Sequence, residues 1–289
     1  MAPLTPAERM HSVLELLETQ GGVRVSELAK EFMVSEVTVR SDLSELARQG
    51  LVARVRGGAR TLPRGGSDEL AFDVRLGLQA AEKRAIAKAS AAMVGDGEAI
   101  ALDCSTSAYH LALELTGKKE LVVVTNGLLI AEALAFSPGI SVILTGGVLR
   151  RAAMSTVGDL ASDVLRTTHI NKGFFGARGL SLERGLMDLN PDEVRLKREL
   201  AAACEQVVGI FDHTKWSRSA LLSFVPTERV TAIVTDAGAP ADLVESWRAR
   251  GVTVVVGEPE QSTRPAPAPP RGLRRTIPHA SASPAGEAV

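Results

Sequence analysis

The sequence predicts an α/β protein with two parts: an N-terminal winged helix-turn-helix over residues 5–60 and an α/β domain with a largely parallel sheet over residues 81–257. Three observations support this fold class. The first region contains three helical apolar patterns and a short hairpin. The second alternates strand-like and helix-like segments. Aromatic residues make up only 3 % of the chain while aliphatic residues are abundant, which suits strands buried on both faces.

The first two helices are predicted from apolar spacing. Pro6–Thr19 carries an apolar stripe of helical period, and Gly21–Gly22 end it. Ser26–Phe32 is a short second helix, which a tight turn separates from the third.

The third helix and the hairpin after it are the most informative segment of the chain. Ser35 is an N-cap residue, the helix begins at Glu36, and Gly50 ends it. Its buried face repeats at i, i+4 and i+7, with the residues Val39, Leu43 and Leu46. Leu51–Arg60 predicts a strand pair that turns at Gly57–Gly58, which completes a winged helix-turn-helix.

The start of the third helix and the wing carry side chains suited to DNA. A polar helix tip can enter the major groove, where an arginine reads guanine or grips a phosphate, while arginines on a wing contact phosphates. The candidate DNA-binding residues are Ser35, Glu36, Thr38, Arg40 and Ser41 on the helix and Arg54, Arg56 and Arg60 on the wing. The whole chain has a net charge of −1, so DNA contact must come from this local arrangement. The alternative is a helical dimerisation module.

The larger domain contains seven strand patterns with helices between most of them. The strands are predicted at Ala99–Asp103, Leu121–Thr125, Ile140–Thr145, Gly173–Gly176, Val207–Asp212, Thr231–Asp236 and Val252–Val256. The helices are predicted at Glu82–Met93, Tyr109–Leu115, Leu128–Ala135, Asp159–Arg166, Pro191–Cys204 and Ala241–Arg250. Five of the strands end in polar or glycine-bearing tips. Because ligands bind outside the carboxyl ends of strands in open α/β sheets, these tips predict one binding site.

The first tip suits an anion. Asp103, Ser105, Thr106 and Ser107 follow a buried strand and open a helix, so their hydroxyls and the free N–H groups of the helix start form a cradle for a phosphate. The alternative is that Ser and Thr are ordinary N-caps here.

The remaining tips suit a polyhydroxylated ligand. Their candidate residues are Thr125, Asn126, Gly146, Gly147, Asp212 and Lys215. The alternatives are that the glycines only turn the chain and that Lys215 is a solvated surface charge. Glu193 and Lys197 stand at i, i+4 on a helix whose charged face is otherwise expected to be solvated, and they are the pair that can point toward the site.

Composition excludes several other classes. The two cysteines, Cys104 and Cys204, lack CxxC spacing, and His110, His169 and His213 are scattered, so we expect no metal and no cofactor. The N-terminus lacks the apolar core of a signal peptide, and no run approaches the ~18 apolar residues of a membrane helix. We therefore expect a cytoplasmic protein without a membrane partner.

Two segments are expected to lie outside the folded parts. Residues 61–80 contain Pro63–Asp68, a proline- and glycine-bearing stretch that predicts a linker. Residues 258–289 form a tail of Pro, Ala, Ser and Arg, which cannot bury enough apolar surface to fold and is expected to be disordered.

Taken together, the motifs resemble one known family. They are Ser35–Arg40, Asp42–Leu43, Gly57–Gly58, Glu82–Ala87, Asp103–Ser107, Val124–Gly127, Leu144–Gly147, Lys172–Ala177 and Asp212–Lys215. The set resembles the DeoR family of bacterial transcriptional regulators over residues 5 to about 240. The resemblance implies an effector domain similar to ribose-5-phosphate isomerase, with Lys172 and Arg178 added to the effector site. It also implies a phosphorylated sugar as effector and repression of a sugar-catabolism operon.

Three positions depart from the family pattern. Ser41 stands where a second basic residue usually follows the recognition-helix arginine. Ser105 replaces a glycine of the phosphate loop and is expected to crowd it. Arg178 stands where many members carry Asp, which suggests an effector with an extra negative charge.

Two functions are compatible with these patterns. A sugar-phosphate-gated repressor would bind palindromic operator DNA as a homodimer or tetramer. A sugar-phosphate isomerase would need a carboxylate base beside the sugar carbonyl. The tip Gly176–Ser181 offers no carboxylate, which disfavours the isomerase, although Asp103 or Glu193 could substitute.

Overall fold

The computed structural model describes residues 6–48, 52–60 and 72–258. The predicted helix stop at Gly50, residues 61–71 of the predicted linker and the predicted tail after residue 258 lie outside the described residues. No helix among the described residues is long and apolar enough to cross a membrane.

The N-terminal part, residues 6–60, is a winged helix-turn-helix, here called the head. Its helices are α1 (Pro6–Gln20), α2 (Val25–Glu31) and α3 (Glu36–Arg48), and its strands are β1 (Gly22–Arg24), β2 (Ala53–Val55) and β3 (Gly58–Arg60). The strands form one antiparallel sheet in the order β1-β3-β2. Strand β1 was not predicted. It lies so close to β3 that a Cβ at Gly58 would be 2.0 Å from the Val23 carbonyl oxygen, so only glycine fits there.

The head core confirms the predicted face of the third helix. Val39, Leu43 and Leu46 are each at most 2 % exposed and share one apolar cluster with residues of α1. A buried ion pair also sets the orientation of α3 relative to α1, because Arg9 Nε on α1 lies 2.8 Å from Asp42 Oδ2 on α3.

The second part is built on a seven-stranded parallel sheet, and all seven predicted strands are confirmed. They are β4 (Ala99–Leu102), β5 (Leu121–Thr125), β6 (Ile140–Leu144), β9 (Ile170–Phe175), β12 (Cys204–Ile210), β14 (Ala232–Asp236) and β15 (Thr253–Gly257). Their order is β15-β14-β12-β9-β4-β5-β6. The α/β class with a largely parallel sheet, joined to a winged helix-turn-helix, is therefore confirmed.

Two small antiparallel units surround this sheet and were not predicted. A hairpin joins β7 (Val148–Arg150) to β8 (Ser155–Val157), and a second sheet contains β10 (Gly179–Ser181), β11 (Gly185–Asp188) and β13 (Leu222–Val225). Strands of three or four residues carry too little periodicity to be recognised.

Seven helices of the described residues complete this domain. They are α4 (Phe72–Gly77), α5 (Ala80–Ala91), α6 (Thr106–Glu114), α7 (Leu128–Leu134), α8 (Leu160–Thr167), α9 (Pro191–Ala202) and α10 (Ala241–Arg248). Both faces of the sheet are covered: Phe174 belongs to one apolar cluster and its neighbour Phe175 to the other, as alternation along a buried strand requires.

Helix α4 corrects the predicted linker over residues 61–80. Phe72 and Leu76 are 2 % and 7 % exposed and join the apolar cluster on one face of the sheet. The Phe72 ring meets the Tyr109 ring edge to face at 5.7 Å. Residues 72–77 are therefore part of the α/β domain and not a linker, because burial of these two side chains repays their ordering.

Candidate ligand cavity and nucleic-acid interface

The start of α3 presents the polar surface that the sequence predicts. Ser35 caps the helix, since the Thr38 N–H donates to Ser35 Oγ at 3.1 Å. Ser35, Glu36, Arg40 and Ser41 are exposed, and Thr38 is half-buried. The helix tip is thus held in shape while its side chains stay accessible.

Arg40 is held by a surface ion pair. Its Nη2 lies 2.9 Å from Glu36 Oε2, and the two side chains are 59 % and 50 % exposed. Exposed pairs of this kind contribute about 0–1 kcal/mol. Arg40 can therefore turn from Glu36 to a base or a phosphate at small cost.

The wing arginines occupy different positions. Arg54 Nη1 donates to the Arg40 carbonyl at 3.0 Å and to Ser44 Oγ at 3.3 Å, so Arg54 ties the wing to α3. Arg56 is exposed at the tip, next to Gly57, whose φ of +82° lets the chain turn. Arg60 is exposed at the end of β3.

A cavity lies at the carboxyl ends of β4, β9 and β12, where the sequence predicts a site. Eight predicted residues line it: Ser105, Thr106, Ser107, Arg178, Glu193, Lys197, Asp212 and Lys215. The start of α6 forms one wall, where Ser105 Oγ accepts the Ala108 N–H at 3.1 Å and acts as N-cap. The structure thus combines both interpretations of this tip, because a capping serine and an anion cradle share the same helix start.

Asp103 lies behind the cavity wall instead of in it. Its side chain is fully buried, and its two oxygens accept the N–H groups of Ser105 at 3.1 Å and Gly176 at 2.9 Å. It therefore holds the tips of β4 and β9 together. A Cβ at Gly176 would be 2.4 Å from Ser105 Cβ, so the glycine opposite Ser105 makes room for the side chain that was expected to crowd the loop.

Lys197 is a buried cation at the centre of the cavity wall. Its Nζ lies 3.0 Å from Asp103 Oδ2 and 2.7 Å from Asp188 Oδ2, and it donates to the Gly176 carbonyl at 2.9 Å. Burial alone would lower the pKa of Lys197, but the two carboxylates outweigh burial and raise the pKa well above its ordinary value. The ammonium therefore stays charged and fixes the tips around it.

Glu193 lies on α9, one turn before Lys197, and faces inward, as the i, i+4 spacing predicts. It does not pair with Lys197. Its carboxylate accepts hydrogen bonds from Arg150 at 2.6 Å, Asn126 at 2.8 Å and Ser155 at 3.0 Å. Glu193 therefore joins β5 and the β7–β8 hairpin to α9.

The chain segment that follows β12 forms another wall of the cavity. Asp212 Oδ1 accepts the Thr214 N–H at 3.0 Å and also the Thr214 hydroxyl. Burial would raise the pKa of Asp212, but Lys215, Lys83 and the Thr214 hydrogen bonds lower it below its ordinary value. Asp212 thus remains ionised and shapes the turn that presents Lys215.

Besides Asp103, the structure places five predicted ligand residues away from the cavity lining. Lys172 lies near the start of β9 and pairs with Glu98 at 2.5 Å, because the carboxyl end of β9 comes only at Phe175. Thr125 Oγ1 accepts the Gly127 N–H, and Asn126 donates to Glu193. The other two are Gly146 and Gly147, which lead into the β7–β8 hairpin, where a Cβ at Gly147 would be 2.2 Å from the Val157 carbonyl oxygen.

Four of the cavity residues that the sequence does not predict carry cationic or amide side chains. They are Arg75, Gln79, Lys83 and Arg218. The first two fall within residues 61–80, where the sequence predicts a linker. Lys83 lies in the Glu82–Ala87 motif, which predicts a helix but no ligand contact, and Arg218 follows the 3₁₀ turn of residues His213–Lys215 without any local signal. Within the described residues, no group of three His, Cys, Asp or Glu side chains is placed to hold a metal ion.

A head with an exposed polar helix tip, joined to an α/β domain with a cation-rich cavity, defines a ligand-responsive DNA-binding protein. Comparison with known families agrees: residues 9–64 match the DeoR-like helix-turn-helix domain and residues 78–237 match the DeoR C terminal sensor domain. The chain belongs to the DeoR family, and we call its α/β part, residues 72–258, the sensor domain.

Curated relatives span nearly the whole chain. The HTH-type transcriptional regulator GolR of Listeria innocua is 35 % identical, over 88 % of this chain and 99 % of its own length. The glycerol-3-phosphate regulon repressor of Escherichia coli is 32 % identical, over 82 % of this chain and 94 % of its own. Among solved structures, ribose 5 phosphate isomerase A from Neisseria gonorrhoeae matches 46 % of this chain and 52 % of its own, with 18 % identity and a TM-score of 0.34.

Proposed function

We propose that this protein is a repressor of a carbohydrate-metabolism operon, which binds operator DNA through the head and releases it when a phosphorylated sugar or related metabolite occupies the cavity. The observation that carries the proposal is the cavity at the start of α6, lined by capping hydroxyls and cations. The name of the E. coli relative, a glycerol-3-phosphate regulon repressor, supports a phosphorylated ligand.

The DNA contacts follow from the exposed surface of the head. The tip of α3 enters the major groove and Arg40 contacts a base or a phosphate, with Ser35 and Thr38 beside it. Arg56 contacts a phosphate from the wing, and Arg54 holds the wing in place. A homodimer or tetramer is part of the proposal, because one small head gives limited affinity and two-fold symmetry suits a palindromic operator. The proposal also includes a cytoplasmic location, because that is where the operator DNA lies.

The ligand contacts follow from the walls of the cavity. The phosphate lies at the start of α6, against Ser105, Thr106 and Ser107. Lys215 and Arg178 reach the remaining oxygens of the ligand. Lys197 and Asp103 shape the site from behind.

The isomerase alternative is weakened by the cavity's carboxylates. Asp103 and Asp188 are both paired with Lys197, and Glu193 is paired with Arg150. General base catalysis needs a carboxylate free to reach the sugar, whereas these three are held by cations and the fourth, Asp212, accepts the Thr214 N–H and hydroxyl. We infer that the chain is not an enzyme.

A thermal-shift screen tests the ligand class. We expect phosphorylated sugars, but not the same sugars without phosphate, to raise the melting temperature, because a ligand that binds the native state stabilises it. The variant Gly176→Ala should lose this response and keep DNA binding, since its new Cβ would push the β9 tip away from Ser105. Gly117→Ala is the matched control, because no atom lies within 4 Å of a Cβ there. Equal responses of the two variants would contradict the proposed site.

A further inference from the structure

One turn of the chain belongs both to the head core and to the cavity. Leu78 and Gln79 join α4 to α5, and both line the cavity. Leu78 is 3 % exposed, and its side chain is part of the apolar cluster of the head, together with Leu17 and Leu43. The α4–α5 turn is therefore a direct link between the ligand site and the DNA-binding part.

The α4–α5 turn is held by one buried cation. Lys83 Nζ donates to the Arg75 carbonyl at 2.5 Å and to the Leu78 carbonyl at 2.6 Å, and the residue is 5 % exposed. These carbonyls lie at the end of α4, where the helix itself supplies no donor. Gln79 has a φ of +47°, a left-handed conformation that a residue with a side chain keeps only when its surroundings impose it.

Lys83 also faces the ligand site. It lines the cavity, and its charge lies close enough to Asp212 to help lower the pKa of that carboxyl. A phosphate oxygen is a stronger acceptor for an ammonium group than a neutral carbonyl, because both partners are then charged.

We propose, resting on the proposed function, that Lys83 senses the bound anion and that Leu78 passes the change to the head. An anion in the cavity attracts the Lys83 ammonium away from the two carbonyls. The α4–α5 turn then loses its clamp, Gln79 relaxes, and Leu78 shifts in the core of the head. The head changes its placement, which alters its fit to operator DNA.

Operator affinity with and without inorganic phosphate tests this link. The DNA is a fragment that the wild type selects from a random pool, ionic strength is kept constant, and phosphate is added until each variant's thermal shift saturates. We expect phosphate to weaken wild-type operator binding by about 5- to 150-fold, the usual range of coupling. In Leu78→Ala this factor should fall below about twofold. Leu76→Ala is the matched control, since Leu76 packs in the sensor core and should keep the wild-type factor.

Lys83 variants give a second, independent measurement. Lys83→Met removes the clamp, so it should bind the operator with the weakened affinity of the phosphate-bound wild type and should not respond to phosphate, while Lys83→Arg should restore part of the response. Wild-type phosphate coupling in Leu78→Ala or in Lys83→Met would overturn the inference, as would a wild type that binds phosphate without losing operator affinity. A wild type whose melting temperature does not rise with phosphate would contradict the proposed function itself, and this inference with it.

Discussion

Replacing Arg40 with alanine is expected to weaken operator binding by roughly 10- to 100-fold for each head that binds, the usual loss when an arginine contact to guanine is removed. Arg40 is exposed near the start of α3, where a helix of this motif meets the bases. Within the described part of the chain its ion-pair partner is Glu36, a surface residue one turn earlier. Stability should therefore change by less than about 1 kcal/mol, and the loss should appear in a gel-shift titration and not in the melting temperature.

Arg248→Ala is the matched control for this prediction. Arg248 is also exposed, lies on α10 of the sensor domain and pairs with Glu245 at 2.7 Å. The variant removes the same charge far along the chain from the head, so it should bind the operator like the wild type. Equal affinities of the two variants would contradict the role of α3. A reduced salt dependence in Arg40→Ala would assign the arginine to a phosphate, and relaxed preference at one base pair would assign it to a base.

Replacing Lys197 with methionine is expected to lower the free energy of unfolding by about 3–5 kcal/mol, because removal of one partner leaves buried charges uncompensated. Asp103 is fully buried and the Asp188 side chain is 14 % exposed, and both carboxylates lie within 3.0 Å of the Lys197 ammonium. Methionine keeps most of the length of the side chain, so loss of charge dominates the effect. Urea unfolding followed by circular dichroism measures it.

Lys172→Met provides the comparison for Lys197. Lys172 pairs with Glu98 at 2.5 Å, but the two side chains are 17 % and 26 % exposed, so water can solvate the carboxylate that remains. We expect a loss of about 1 kcal/mol or less. If both lysine variants lost the same stability, the Asp103–Lys197–Asp188 cluster would not be the support of the cavity described above.

Long buried elements could be predicted from the sequence, and short ones could not. Val207–Asp212 and Leu121–Thr125 are apolar runs that predict parallel strands, and the sheet contains the first as far as Ile210 and the whole of the second. Strand β1 has three residues and directly follows a Gly21 turn, so its pairing with β3 depends on the distant Gly58. Pairing over such a sequence separation leaves no local periodic signal.

In the ligand cavity, too, the features with a local sequence pattern could be predicted and the others could not. The cradle at Ser105–Ser107 was predicted, because a strand end followed by capping residues is a local pattern. Lys172 was assigned to the wrong end of its strand, since the motif fixes its neighbours but not the position at which β9 ends. The segment from Arg75 to Lys83 was missed because Pro63–Asp68 suggested a linker that continues to residue 80, whereas burial of Phe72 and Leu76 starts the domain earlier.

The central claim is that a ligand in the sensor cavity controls DNA binding by the head. The most direct test measures operator affinity of the wild type with and without a saturating phosphorylated sugar taken from the thermal-shift screen. We predict that the sugar weakens operator binding by about fivefold or more, and that operator DNA weakens sugar binding by the same factor, as linkage requires. Equal operator affinity with the cavity empty and filled would contradict the account.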